Sequence, residues 1–337
     1  MASRSLSRAP RISLCALASL LVLLVAGCGG DDGNGGSDSG GTGQGSEQVA
    51  QKTNFPKASG KTLAELHKGL GPGPVLAPTV SILTPGQNRF GFGLFDRARK
   101  QISDAPAAIY MAPATGGPAQ GPFYANAESL DVAPPYQSQT VKNDPATARS
   151  IYVAKVPFKK AGNYAVMGVV KLDGRLVATD PAGAQVTDKD AVPEVGDQAP
   201  RIVTPTVASV GGNVKSIDTR VPPGTMHADN FADVVGKKPV LLLFATPALC
   251  QSRVCGPVVD IAEEVKASHK GDTDFIHMEI YNDNQIEKGL RPQVNAYHLQ
   301  TEPWAFAIDR HGKVAARLEG AYSERELVDA IKAAEAK

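Results

Sequence analysis

The sequence predicts two folded regions of different class behind an N-terminal leader, an all-β sandwich followed by an α/β domain. Three observations predict this. Between about residues 78 and 185, apolar residues alternate with period two, broken by Gly, Pro, Asn and Asp, and no stretch keeps helical spacing. After residue 195, continuous apolar runs alternate with helical stripes. Residues 29–48 are almost entirely Gly, Ser, Asp, Asn, Thr, Gln and Glu, a composition that buries no core. The resulting boundaries are a leader over 1–27, a tether over 28–70, the β region over 75–190 and the α/β region over 195–337.

The leader opens with Arg4, Arg8 and Arg11 and continues with an uncharged apolar run over residues 12–27, the layout of a secretory signal and short for a membrane span. It ends in Leu24-Val25-Ala26-Gly27-Cys28. This resembles the lipobox of bacterial lipoproteins, an aliphatic residue and two small residues before a cysteine. The resemblance implies that Cys28 is lipidated and becomes the mature N-terminus. The chain is then expected on the outer face of the cell membrane, with the polar stretch as its tether.

The 337 residues carry a formal charge of +1 with both signs interspersed, so no basic face is available for nucleic acid. No cofactor and no resident metal is predicted. Of four cysteines, Cys15 leaves with the signal and Cys28 is acylated. Cys250 and Cys255 then have only each other as partners in an oxidising compartment, and a disulfide between them is expected.

In the β region, Phe90, Phe92 and Leu94 mark one strand, and Tyr164, Val166, Val170 and Leu172 another. Turn chemistry sits at Thr84-Pro85-Gly86-Gln87, Lys160-Ala161-Gly162-Asn163 and Leu172-Asp173-Gly174-Arg175. Phe158 followed by Ala161-Gly162-Asn163-Tyr164 resembles the strand entry of immunoglobulin-like modules, so an immunoglobulin-like sandwich is expected. Ahead of it, residues 61–67 predict a short helix. Gly60-Lys61-Thr62 is no phosphate loop, since Phe55 stands where the first glycine belongs.

In the α/β region, residues 191–200 read as a linker. Val240–Phe244 is a continuous apolar run, as in a strand buried on both faces. Val258, Ile261, Ala262 and Val265 form a helical stripe. A strand over 275–281, a hairpin of Trp304–Ile308 with 314–318, and a final helix complete the set. Ser323 and Glu326 supply that helix with a capping box, and Tyr322 and Leu327 with a hydrophobic staple.

These elements, with Val195-Gly196-Asp197-Gln198-Ala199-Pro200, Thr301-Glu302-Pro303 and Asp309-Arg310-His311-Gly312, resemble the thioredoxin superfamily in its extracytoplasmic TlpA and redoxin branch over residues 195–336. The resemblance implies that Pro303 is a cis-proline facing the cysteines. It also implies that Cys250 is the attacking thiol and Cys255 the resolving one, in a thiol–disulfide oxidoreductase acting on extracytoplasmic protein thiols or disulfides. Arg253, between the cysteines, is a candidate for stabilising a thiolate. The strand before the site offers Leu241, Leu242 and Leu243 where thioredoxins place a buried carboxylate, so no proton acceptor is expected.

The spacing of the cysteines makes a geometric demand. Cα atoms five apart in an α-helix lie roughly 8 to 9 Å apart, and a disulfide needs less than about 7 Å. Residues 250–254 must therefore lie outside the helix when the bond is closed. Thr246-Pro247-Ala248-Leu249-Cys250 also resembles, with one extra residue, the site of bacterioferritin-comigratory peroxiredoxins, which would imply a thiol peroxidase. A copper chaperone of the Sco type would need a histidine beside the thiols, with His298 and His311 as the candidates. A redox-inert binding lipoprotein with a structural disulfide is the remaining alternative.

Overall fold

The computed structural model describes residues 48–337, which lie in one compact unit. The signal, Cys15, Cys28 and most of the polar tether lie outside the described residues. Among the described residues no helix is long and apolar enough to cross a membrane.

The N-terminal half is a nine-stranded sheet. Its strands are β1 (Gly71–Pro72), β2 (Val75–Pro78), β3 (Gly86–Phe95), β4 (Ala107–Pro113), β5 (Gln120–Ser129), β6 (Ser150–Phe158), β7 (Gly162–Leu172), β8 (Arg175–Ala178) and β9 (Ala182–Val186). Pairing runs β1-β8-β7-β4-β5-β6-β3-β2, with β9 also on β7. The strands therefore belong to one bent sheet, where the immunoglobulin-like expectation was two separate sheets. The bend lies in β5, which pairs with β4 through residues 120–125 and with β6 through 125–129. At the crossing, Ala125 is the partner of both Ala107 and Ala154, all three buried.

The two arms face each other across one core, with Phe90, Phe92 and Tyr152 from one and Ile109, Met111 and Val166 from the other. The hairpin β7–β8 turns on Asp173 and Gly174, both at positive φ as a tight two-residue turn requires. The entry to β7 is tied by the Tyr164 hydroxyl, which donates to the Lys160 carbonyl at 3.0 Å.

Part of the predicted tether belongs to this body. Phe55, Ala58, Leu63 and Leu66 pack on the outer face of β4 and β7 against Tyr110 and Met167, and the Tyr110 hydroxyl donates to Pro56 O at 2.6 Å. Apolar side chains spaced through an otherwise polar stretch explain this docking. Helix α1 (Leu63–Lys68) is capped by Thr62, whose side chain accepts from Glu65 N, so the Gly60-Lys61-Thr62 triplet has a structural role.

The C-terminal half has three layers. Its sheet of β10 (Val240–Phe244), β11 (Asp274–Met278), β12 (Trp304–Ile308) and β13 (Val314–Glu319) runs in the order β11-β10-β12-β13. Strand β11 is parallel to β10, and β12 and β13 are antiparallel to their neighbours. Helices α4 (Cys255–Ser268) and α6 (Glu324–Glu335) cover the face of Leu241, Leu243 and Ala305. Short helices α3 (Phe231–Val234) and α5 (Pro292–Ala296) lie against Leu242, Phe244 and Phe306. The predicted capping box at Ser323 and Glu326 is present. The predicted linker is no free spacer: Gly196 N and Ala199 N donate to Val314 O and Gly312 O along the β12–β13 hairpin.

The halves meet through buried charge. Arg89 of β3 grips Glu326 at the start of α6 with two parallel bonds of 2.6 and 2.9 Å, and also donates to Ala321 O. Burial pushes the Glu326 carboxyl up, but the Arg89 charge and hydrogen bonds outweigh it and hold it below the usual carboxylate range. Glu319 accepts from Ser81 N, Ser81 Oγ and Ile82 N. Leu130 and Ile151 enter the C-terminal core directly. Replacing Arg89 with Ala would strand the Glu326 carboxylate, so Arg89→Ala should cost about 3 to 5 kcal/mol of unfolding free energy, read from the denaturant midpoint at unchanged slope.

Candidate functional site

The site is the connection between β10 and α4. Strand β10 ends at Phe244, and Cys255 is the first residue of α4. Between them the chain runs as turns, and Arg253 takes a left-handed φ of 58° that interrupts any helical path. Cys250 and Cys255 are joined by a disulfide with a Cα–Cα distance of 6.0 Å. Residues 250–254 are thus out of the helix, as the spacing demands. Cys250 is partly exposed, whereas Cys255 is fully buried. The amides of the first helical turn favour negative charge on a sulfur released there.

The loop is held from outside itself. Ala248 N donates to Thr219 Oγ1 at 3.1 Å, Ala148 N donates to Arg253 O at 3.3 Å, and Arg253 pairs with Asp144 at 2.6 Å. Asp144 follows helix α2 (Gln139–Asn143), so the N-terminal half clasps the cysteine loop. The guanidinium of Arg253, expected to face a thiolate, is committed to that carboxylate instead.

Sequence reasoning missed one residue of this site. Glu302 Oε2 lies 3.5 Å from Cys255 Sγ and accepts from Thr246 N at 2.9 Å. Burial, with the nearby negative charge of Glu279, pushes its carboxyl up to about 8, against the pull of the Thr246 amide. A carboxyl does stand beside the buried sulfur, supplied from the segment before the neighbouring strand β12 rather than from β10 itself. The available signal was its position directly before Pro303, whose peptide bond with Glu302 is cis.

Two cavities flank the disulfide. One of about 460 Å³ is walled by Pro247, Leu249 and Cys250 and, opposite, by Thr140, Val141 and Asp144. The other, of about 340 Å³, lies between Val254 and Glu302 on one side and Ser81, Phe95 and Ser150 on the other. Each has one wall from the N-terminal half. Thr246 is fully buried and lines neither cavity, so its hydroxyl is not presented beside Cys250, and the arginine on the wall of the first cavity is Arg253, paired with Asp144. His298 and His311 are exposed, and among the described residues the group that joins the two cysteines within ligand distance is Glu302.

No family model matches this sequence, and no curated protein does. Among solved structures, a candidate thiol:disulfide interchange protein, DsbE, of Chlorobium tepidum is similar at 18% identity over 42% of this chain and 98% of its own, with a TM-score of 0.30.

The raised carboxyl of Glu302 makes stability depend on pH. Its ordinary value is 4.5 and its value in the fold about 8, so across that window the folded state keeps a proton that the unfolded chain has lost. Stability therefore falls as pH rises, by at most about 1.4 kcal/mol for each pH step of one. The oxidised protein should lose several degrees of melting temperature between about pH 5 and pH 8, and Glu302→Gln should flatten that loss.

Proposed function

We propose that the chain is a thiol–disulfide oxidoreductase of thioredoxin-like fold, held on the outer face of the cell membrane by lipid on Cys28. Its N-terminal half would be an immunoglobulin-like module that walls the site, a variant in which the two facing arms of the sandwich are joined through the shared strand β5. The observation that carries the reading is a partly exposed Cys250 bonded to a buried Cys255 at a helix N-terminus, with the Glu302 carboxyl 3.5 Å from the buried sulfur. The fold reading is supported by the strand order β11-β10-β12-β13, by the cysteine following β10, and by the cis Glu302–Pro303 bond before β12. The immunoglobulin-like reading is supported by the Tyr164–Lys160 tie, which resembles the tyrosine corner of such domains.

In the exchange step, a substrate thiolate attacks Cys250 Sγ and forms a mixed disulfide. The bond to Cys255 breaks and its electron pair stays on Cys255 Sγ. That sulfur takes the proton held by Glu302. A second substrate thiolate then displaces Cys250, leaving a substrate disulfide and a reduced pair. Two electrons have moved to the protein, and in the opposite direction the same atoms run in reverse, with the Glu302 carboxylate taking the Cys255 proton. The exposed sulfur is the one attacked because the other is inaccessible. The substrates would be protein thiols or disulfides outside the cytoplasm, presented through the two cavities.

Three outcomes check this. Cys255→Ser should accumulate mixed disulfides through Cys250 when mixed with an unfolded protein that carries a disulfide, and Cys250→Ser should accumulate none. The wild-type pair should equilibrate with glutathione at a potential above roughly −300 mV; a value well below it would make the bond a structural staple. Cys28→Ala should move the full chain from the membrane fraction to the soluble fraction.

A further inference from the structure

We propose that Asp218, His227 and His277 form a binding site for one divalent cation of the zinc type, separate from the cysteine pair. The three side chains come from two stretches: Asp218 and His227 from the irregular segment before α3, and His277 from β11. They are 2%, 1% and 1% exposed. Asp218 presents one oxygen to each ring, Oδ2 at 3.1 Å from His227 Nε2 and Oδ1 at 3.8 Å from His277 Nδ1. One ligand atom from each of the three residues falls within 4.8 Å of the others. An ion at about 2.0 to 2.2 Å from nitrogen and oxygen in tetrahedral geometry separates its ligands by about 3.4 Å, and the two carboxylate–ring separations, 3.1 and 3.8 Å, lie on either side of that value.

His277 points to an ion rather than to a hydrogen bond. Its Nε2 is 2.9 Å from Ala245 O, and a carbonyl only accepts, so that nitrogen carries the proton. In the neutral ring, Nδ1 then offers a lone pair toward a carboxylate oxygen that has only lone pairs to offer, and Nδ1 is buried without a partner. A cation between them satisfies both. Histidine ligands are oriented in this way, with the second nitrogen donating to a backbone carbonyl. The guanidinium of Arg220, two positions along the chain from Asp218, is spent on Asp260, Pro222 O and Tyr136 O. The remaining partners of Asp218 are the amides of Arg220 and Gly224. Taking the ion, His227 keeps its one ring proton on Nδ1 rather than on Nε2, the neutral tautomer that leaves the Nε2 lone pair for the metal.

The test uses the full chain in its disulfide form, so that thiolates are unavailable. Zinc added to chelator-stripped protein should bind at one equivalent per chain and raise the melting temperature, and Asp218→Asn and His277→Gln should lose that equivalent. Cobalt in place of zinc should give visible bands of a nitrogen–oxygen site without a thiolate charge-transfer band. The Cys250→Ser, Cys255→Ser double variant should still take one equivalent. Absence of stoichiometric zinc binding by the oxidised wild-type chain overturns the proposal without reference to any variant. So does a thiolate band with cobalt, or loss of binding in the double cysteine variant.

Discussion

The disulfide can close only while the residues ahead of α4 are kept out of the helix, and the groups that keep them out belong to other parts of the chain. Thr219 holds Ala248, Asp144 holds Arg253, Ala148 donates to the Arg253 carbonyl, and Glu302 holds the amide of Thr246. An isolated segment with this sequence would be free to extend α4 backwards and carry the sulfurs too far apart. The geometry of the site is therefore a property of the whole described body rather than of its cysteine motif.

This explains why the two halves are joined as they are. Their contact is carried by carboxylates whose partners lie across the boundary: Glu326 with Arg89, Glu319 with Ser81 and Ile82, Asp260 with Ser138, and Glu128 with Arg325. Such groups are directional, since each leaves a buried carboxylate oxygen short of a hydrogen-bond partner if the group across the boundary shifts. Apolar burial by Leu130 and Ile151 adds area without direction. The polar set fixes where Thr140, Asp144 and Ala148 stand relative to Cys250, and with it the width of both cavities.

Elements whose residues interact locally were legible in the sequence. Strand β10, the stripe of α4, the hairpin of β12 and β13 and the capping box of α6 follow from period, run length and capping chemistry, each set within a dozen or so residues. The cis bond before Pro303 was also expected, from the resemblance. What was not legible depended on distant partners. Glu302 becomes an unusual carboxyl only because Thr246 and Cys255 are brought to it from more than forty positions away. Arg253 was assigned to the thiolate because Asp144, far upstream, was out of view. The tether was drawn too long because Phe55, Leu63 and Leu66 are too few to read as a packing surface until the face of β4 and β7 is known. The bend of the sheet has the same origin, since nothing in β5 alone says that its two ends serve different neighbours.

That shared strand bears on how the sequence can drift. In a strand, successive side chains point to opposite faces, so an inserted or deleted residue inverts everything beyond it. In β5 such a change would dislocate both arms together, because Ala125 is in register with Ala107 and Ala154 at once. Length variation among descendants of this chain is thereby confined to loops such as the one between β5 and β6, and the three alanines at the crossing admit only small replacements.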